Sequence, residues 1–116
     1  MIKVYHNPRC GKSRNCLAFL ENTNQDHTII KYLEEVPSKE ELTGLLKKLN
    51  LKPIELVRQK EKIWIENYKN EQMNDEAIIQ AMITHPILIE RPIIVKGNKA
   101  IIAREMDKIE GFFKAE

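Results

Sequence analysis

The alternation of short apolar runs with amphipathic stretches is the feature of this sequence that most restricts its fold. Runs of β-branched residues predict strands, whereas apolar residues at spacings of three and four predict helices. Near the start the predicted order is strand, helix, strand, and near the end it is strand, hairpin, strand, helix. The predicted strands span 2–5, 28–32, 93–95 and 100–103, and the helices of these two halves span 13–22 and 106–113.

The segment between these halves is predicted to be helical. Ser38 and Glu41 form a capping box ahead of leucines at helical spacing, and Asn74 is expected to cap a later helix. A βαβ half joined by helices to a ββα half is the pattern of the thioredoxin fold. We therefore predict one thioredoxin-like α/β domain, residues 1–116, in which helices flank a small mixed sheet and a helical insertion occupies roughly 38–84.

Composition and charge exclude several classes of function. The net charge of +2 and the lack of a long Lys/Arg block give no argument for a nucleic-acid partner. No apolar run approaches membrane-spanning length, and Met1 leads straight into a strand, so we expect neither a membrane partner nor a signal peptide. Two cysteines without an export signal fit a reducing cytoplasm and offer no metal-binding spacing. We therefore expect a cytoplasmic monomer without a bound metal.

The loop between the first strand and the first helix places a cysteine where a thiolate is favoured. Cys10 falls where unpaired backbone N–H groups and the positive end of the helix dipole converge, which lowers a cysteine pKa below its free value of about 8.5. Gly11 lets the backbone approach an anion closely. Residues nearby that carry or can acquire positive charge are His6, Arg9, Lys12 and Arg14. The loop predicts an activated thiolate beside an anion-binding nest, against the alternative of a thiol buried as a small hydrophobe.

Two neighbours of this cysteine bear on whether a second redox thiol is available. Ser13 is a plausible cap for the first helix, and in Cys-Gly-Lys-Ser it stands where a second cysteine would make a dithiol pair. Cys16, six residues after Cys10 and mostly along a helix, should lie about 9 Å from it. Disulfides rarely form beyond a Cα separation of about 7 Å, so we expect Cys16 to be an ordinary helix residue.

Four blocks of the sequence together resemble one protein family. The first is Tyr5-His6-Asn7-Pro8-Arg9-Cys10-Gly11-Lys12-Ser13-Arg14-Asn15, and the others lie at 38–42, 56–61 and 85–93. In this order they resemble the glutaredoxin-coupled arsenate reductases of the ArsC type and their Spx-like and YffB-like relatives. The resemblance runs from the first strand to the last helix.

The resemblance implies a role for particular residues. Cys10 would be the nucleophile, and His6 would help to keep it ionised. Pro92 would be a cis-proline that places Arg91 beside the cysteine. The residues implied in holding the oxyanion are Arg58, Arg91 and Arg104. We also expect Gly11, Lys12 and Ser13 of the loop to take part in binding it. A lone arginine is usually a solvated surface residue. That alternative is weakest for Arg91, which stands between an apolar run and Pro92, and strongest for Arg104.

The resemblance also implies a reaction and its partners. The thiolate would attack the arsenic of arsenate, glutathione would attack the adduct, and glutaredoxin would resolve the mixed disulfide, with no bound cofactor. Guanidinium groups suit such an oxyanion because they grip its oxygens in pairs. The alternatives are a glutathione-dependent thiol reductase that does not act on arsenate, and an Spx-like regulator that binds RNA polymerase.

Two residues depart from the pattern of the reductases. Lys12 stands where a small hydroxyl residue is usual, and it could either strengthen anion binding or obstruct the pocket. Arg104 lies in Ala103-Arg104-Glu105-Met106 rather than in the usual Gly-Arg-Pro context, so the shape of its loop and the charge of its surroundings are open.

Overall fold

The computed structural model describes residues 2–114 and contains four strands and five α-helices in them. The elements are β1 (Ile2–His6), α1 (Gly11–Asn22), β2 (His27–Lys31), α2 (Lys39–Leu49), α3 (Lys62–Asn67), α4 (Asp75–Thr84), β3 (Ile93–Lys96), β4 (Lys99–Ile102) and α5 (Met106–Lys114). Short 3₁₀ turns occupy Pro53–Leu56 and Pro86–Leu88. Met1, Ala115 and Glu116, which the predicted domain of 1–116 includes, lie outside the described residues.

The chain divides into two compact units. The first unit comprises Met1–Glu35 and Arg91–Glu116, and the second comprises Val36–Glu90. The second unit contains the helical insertion predicted at roughly 38–84. No helix within residues 2–114 combines the length and the apolar character needed to cross a bilayer.

All four strands form one mixed sheet in the first unit. Their order is β2-β1-β3-β4, with β1 parallel to β2 and with antiparallel pairing elsewhere. Val4 of β1 lies opposite Ile29 on one side and Ile94 on the other. β3 is buried over its first three residues, as its continuous apolar run predicted. The turn into β4 is the predicted hairpin, and Gly97 supplies its positive φ of 61°.

Helix α1 packs its apolar face on this sheet. Cys16 and Leu20 are fully buried there and share a hydrophobic cluster with Val4 and Ile94 of the sheet and Ile109 of α5. Burying one leucine side chain is worth about 1.5–3 kcal/mol, so this cluster holds α1 against the sheet. Cys16, which was expected to be an ordinary helix residue, belongs to the core.

Helix α1 begins earlier than the sequence predicted. Its N-cap is Cys10, in an extended conformation (φ −94°, ψ 123°), and the predicted cap at Ser13 is wrong. Gly11 and Lys12 join the helix because the first backbone N–H groups of a helix need no partner within it. Ser13, now one turn inside, is fully buried and hydrogen-bonds the preceding loop instead.

Local capping signals organise the second unit. The Ser38 hydroxyl accepts a hydrogen bond of 3.1 Å from the Glu41 N–H, which confirms the predicted start of α2. The Asn74 side chain likewise accepts from the Ala77 N–H, at 2.8 Å, and starts α4. Helix α3 was not predicted, because its stretch is charged and only weakly periodic. It forms around Trp64, the buried residue of its six.

Candidate active site

The loop between β1 and α1 is a pre-formed turn that ends at Cys10. The Cys10 N–H donates to the Asn7 carbonyl at 3.0 Å, and the Cys10 carbonyl accepts from the Arg14 N–H at 3.1 Å, as the first bond of the helix. Asn7 is buried, and its own N–H donates to the Ser13 hydroxyl at 3.3 Å. The thiol therefore sits at a fixed point, on the N-cap of α1.

Asn7 is a site residue that the sequence analysis missed. Its side-chain oxygen accepts a hydrogen bond of 3.0 Å from the Arg9 N–H two residues later, the pattern of an Asx turn. An asparagine at the start of a Pro-containing loop was the signal that could have identified it. Through this turn and through Ser13, Asn7 sets the path of the chain into Cys10.

The Cys10 thiol is tuned toward its ionised form. Burial raises its pKa, but the backbone N–H of Ser13, the Arg91 side chain and the backbone N–H of Lys12 all hydrogen-bond the sulfur, and the Arg91 charge attracts it. These donors outweigh burial and lower the pKa from 9.0 to about 7. A pKa near 7 brings the ionisation of Cys10 into the neutral pH range.

Cys16 provides the contrast within the same helix. It is fully buried among apolar side chains, and burial raises the pKa of its thiol to about 12. Both cysteines are free thiols. The chain therefore holds one ionisable thiol at the helix start and one inert thiol in the core.

Arg91 reaches the cysteine from the start of β3. The Arg91–Pro92 peptide bond is cis, as predicted, and the Arg91 side chain is buried and hydrogen-bonds the Cys10 sulfur. The predicted adjacency of Arg91 and Cys10 is confirmed. Its role toward a substrate stays a prediction.

Arg104 joins the same site through the backbone of Arg91. It is half-buried, and its Nη1 donates a hydrogen bond of 2.8 Å to the Arg91 carbonyl. Glu105 instead lies 3.8 Å from the Lys108 ammonium group. Arg104 therefore lies beside Arg91 although its sequence context differs from the usual Gly-Arg-Pro.

Burial works against the positive charge expected on His6. His6 is 5% exposed, and burial, with smaller contributions from the positive charges of Lys31 and Arg14, lowers its pKa from 6.5. Its Nδ1 has no hydrogen-bond partner within residues 2–114. A neutral imidazole does not stabilise a thiolate as an imidazolium would. The hydrogen bonds from α1 and Arg91 supply that stabilisation instead.

The other predicted cations around the loop are not the groups that lower the Cys10 pKa. Arg9, Lys12 and Arg14 all have exposed side chains. Arg14 donates from Nη1 to the Pro8 carbonyl at 3.0 Å and so braces the loop. Lys12 contributes its backbone N–H, and Gly11 is the first residue of α1.

Arg58 belongs to the second unit, where two carboxylates hold it. Its Nε donates to Glu61 and its Nη1 to Glu90, both at 3.1 Å. Arg58 is held in one orientation by these charge-assisted bonds. Its expected part in holding an oxyanion stays a prediction.

This geometry is that of a nucleophilic thiolate with built-in anion recognition. A sulfur ionised near neutrality can attack an electrophilic centre, and the N–H groups and guanidinium that stabilise it also favour anionic ligands. Within residues 2–114, no group of three or more His, Cys, Asp or Glu side chains is placed to hold a metal ion.

Comparisons with known proteins place the chain in a family. Residues 5–112 match the ArsC family. An Escherichia coli K12 relative, the uncharacterized protein YfgD, is 41% identical over 93% of this chain and 92% of its own. An arsenate reductase of Neisseria meningitidis is 36% identical over 94% of this chain and 95% of its own.

A solved structure gives the same answer and settles the fold class. The arsenate reductase from Vibrio cholerae superposes with a TM-score of 0.89 at 42% identity, covering 95% of each chain. The thioredoxin-like α/β fold expected from the order of strands and helices is confirmed by this match. The match to the family extends over nearly the whole described chain, including the Cys10 loop and the Arg91–Pro92 peptide. This protein is a member of the ArsC family.

Proposed function

We propose that this protein reduces arsenate to arsenite with Cys10 as its single nucleophile, using glutathione and glutaredoxin as reductants. The proposal rests mainly on the environment of Cys10, whose sulfur is hydrogen-bonded by Arg91 and whose thiol has a pKa lowered to about 7. Full-length relatives named arsenate reductase support the choice of substrate. The proposed reductants require a reducing compartment, so we place the reaction in the cytoplasm.

In this proposal Arg91 and Arg104 bind the tetrahedral oxyanion. Arsenate is a small anion whose oxygens match the planar donor fork of a guanidinium. Arg91 is already at the sulfur, and Arg104 holds its backbone through the 2.8 Å bond. Arg58 is proposed as a third arginine on the strength of the family resemblance alone.

The proposed reaction begins when the Cys10 thiolate attacks arsenic and an arsenate oxygen leaves as water. A glutathione thiolate then attacks the Cys10 sulfur, a disulfide forms between Cys10 and glutathione, and the S–As bond breaks. The bonding electron pair stays on arsenic, which falls from As(V) to As(III). The sum is one cysteine thiol, one glutathione and H₃AsO₄ giving the mixed disulfide, H₃AsO₃ and water. A glutaredoxin thiolate then takes up the glutathionyl group and frees Cys10.

Lys12 is proposed to support anion binding rather than to block the site. Its backbone N–H hydrogen-bonds the Cys10 sulfur, and its side chain is exposed. An exposed ammonium group adds positive potential without filling the space next to the sulfur. We expect Lys12→Ser to raise the KM for arsenate by about two- to fivefold and to leave kcat unchanged.

Arsenite release is the measurement that tests the proposal. With glutathione, glutaredoxin and arsenate, the unmodified protein should release arsenite, and omission of any one should stop turnover. Cys10→Ser should lose activity by a factor of at least about 10³, since a serine hydroxyl is un-ionised at this pH. Cys16→Ala is the matched control and should retain activity. The proposal is wrong if reduced, folded, unmodified protein releases no arsenite. Turnover of a small disulfide in its place would indicate a thiol reductase on the same scaffold.

A further inference from the structure

A cavity of about 320 Å³ lies beside the Cys10 loop, and none of the roles assigned above uses it. It belongs to the first unit and lies past the carboxyl ends of β1 and β2, parallel neighbours whose last paired residues are His6 and Lys31. The residues that line it are Asn7, Pro8, Arg9, Lys31, Leu33 and Glu34.

Two closed turns form the walls of this cavity. One is the turn from Asn7 to Cys10, closed by the 3.0 Å bond from the Cys10 N–H. The other runs from Lys31 to Glu34 and is closed by the Glu34 N–H donating to the Lys31 carbonyl, also at 3.0 Å. The cavity is therefore pre-formed, and it shares one wall with the segment that positions the reactive thiol.

The charges around the cavity have a definite pattern. Two cations, Arg9 and Lys31, and one anion, Glu34, line it, and all three side chains are exposed. Within residues 2–114 none of the three forms an ion pair within 4.0 Å. Pro8 and Leu33 add apolar surface. A ligand that suits these walls has two negative groups, one positive group and a short apolar stretch.

We propose that this cavity binds glutathione, the tripeptide thiol that the proposed function takes as its reductant and on which this inference therefore rests. At neutral pH glutathione carries two carboxylates and one ammonium group. Arg9 and Lys31 pair with its carboxylates, Glu34 pairs with its ammonium group, and the methylene groups of the γ-glutamyl residue lie on Pro8 and Leu33.

The dimensions agree with this assignment. Arg9 is adjacent to the reactive Cys10 in the sequence, and neighbouring Cα atoms are 3.8 Å apart. A ligand anchored at Arg9 can therefore present its central cysteine to the sulfur of Cys10. Pockets for small ligands begin at about 300 Å³, which this cavity reaches.

The same chemistry argues against a simple oxyanion as the occupant. An arsenate or phosphate ion would gain from Arg9 and Lys31 but would be repelled by Glu34, and it has nothing to place on Leu33. The cavity therefore serves the thiol co-substrate, while the oxyanion belongs at Cys10 and Arg91.

Binding of S-methylglutathione to the reduced full-length protein tests this proposal, because the methyl group prevents thiol chemistry. Affinity is measured by calorimetry, and amide shifts locate the site. Arg9→Glu and Lys31→Glu should each weaken binding by about fivefold or more, because each turns an attraction into a repulsion. Lys99→Glu makes the same charge change on the exposed hairpin and should alter the affinity less than twofold. Arg9→Lys and Lys31→Arg should retain binding within about twofold.

Two results would overturn the proposal. One is binding that Lys99→Glu weakens as much as Arg9→Glu does, and the other is the absence of shifts at the lining residues at millimolar S-methylglutathione. Arg9 lies on the exposed loop surface, so its variant keeps the test decisive if Lys31→Glu fails to fold. Arsenate is absent from this experiment, and failure of the arsenate assignment would appear in the arsenite assay alone. In an active enzyme the same two variants should raise the KM for glutathione by a larger factor than the KM for arsenate.

Discussion

The Nη1 atom of Arg104 lies 2.8 Å from the backbone carbonyl of Arg91 and donates a hydrogen bond to it. Arg91 in turn hydrogen-bonds the Cys10 sulfur with its side chain. The two arginines therefore act in series, one on the sulfur and the other on the backbone that carries the first. This arrangement gives Arg104 a positioning role whether or not it contacts a substrate.

Replacement of Arg104 should loosen this backbone. We expect Arg104→Ala to lower the free energy of unfolding by about 1–2 kcal/mol, because a half-buried carbonyl loses a charged donor. Lys108→Ala, which removes an exposed cation on α5, should change it by less than about 0.5 kcal/mol. Urea unfolding measures both. Equal losses in the two variants would mean that the Arg104 bond adds no stability.

Arg91 should control the ionisation of Cys10. We expect Arg91→Ala to raise the Cys10 pKa above 7, because the thiolate loses a hydrogen bond and a neighbouring positive charge. Arg91→Lys keeps the positive charge, so its Cys10 pKa should lie between those of the unmodified protein and Arg91→Ala. The rate of alkylation by iodoacetamide, followed against pH, reports the pKa. Arg9→Ala is the control, since Arg9 is adjacent in sequence but does not lower this pKa. If Arg9→Ala raised the pKa as much as Arg91→Ala, the assignment to Arg91 would be wrong.

Ser13 allows its backbone and side-chain roles to be separated. The Ser13 hydroxyl accepts from the buried Asn7 N–H, whereas its own N–H donates to the Cys10 sulfur. Ser13→Ala should therefore lower the free energy of unfolding by about 1–3 kcal/mol, the cost of a buried unpaired donor, and leave the Cys10 pKa near 7. Urea unfolding and the alkylation profile measure the two effects. A raised Cys10 pKa with unchanged stability would mean that the Ser13 hydroxyl acts on the thiolate and not on the Asn7 N–H.

The two cysteines should differ sharply in reactivity. Cys16 is fully buried and burial raises its pKa to about 12, so at pH 8 only Cys10 should react with iodoacetamide in the folded protein. Mass spectrometry should find one label, on Cys10, and a second only after unfolding. Cys16→Ala should leave the labelling rate unchanged, whereas Cys16→Ser should cost about 1–3 kcal/mol of stability by burying a hydroxyl among apolar groups. Labelling of Cys16 without unfolding would contradict its place in the core.

Features encoded over a few neighbouring residues could be predicted from the sequence. The caps at Ser38 and Asn74 depend on a side chain and an N–H three residues later, and the structure has both. The hairpin at Gly97 and the run of β3 are equally local. The proximity of Arg91 to Cys10 came from family resemblance, because spacing along the chain carries no such information.

Features that depend on distant packing could not be predicted. His6 was expected to carry a charge because histidine titrates near neutrality, but burial and the charge of Lys31 lower its pKa. Ser13 was predicted to cap the helix because serine is a favoured N-cap residue, whereas the structure has Cys10 at that position. The cavity beside Lys31 brings together residues from the segments 7–9 and 31–34, which are distant in the sequence.

The pKa of Cys10 is the quantity on which the proposed chemistry depends. With a pKa of about 7, the thiolate fraction falls tenfold for each pH unit well below pH 7 and approaches one well above it. Thiolate absorbance near 240 nm, followed against pH in Cys16→Ala, measures this pKa directly. We predict a value of about 7, and a higher one in saturating sulfate or arsenate, because a second negative charge beside the sulfur disfavours the thiolate. A value near 8.5, unmoved by either anion, would contradict an activated thiolate and its anion site together.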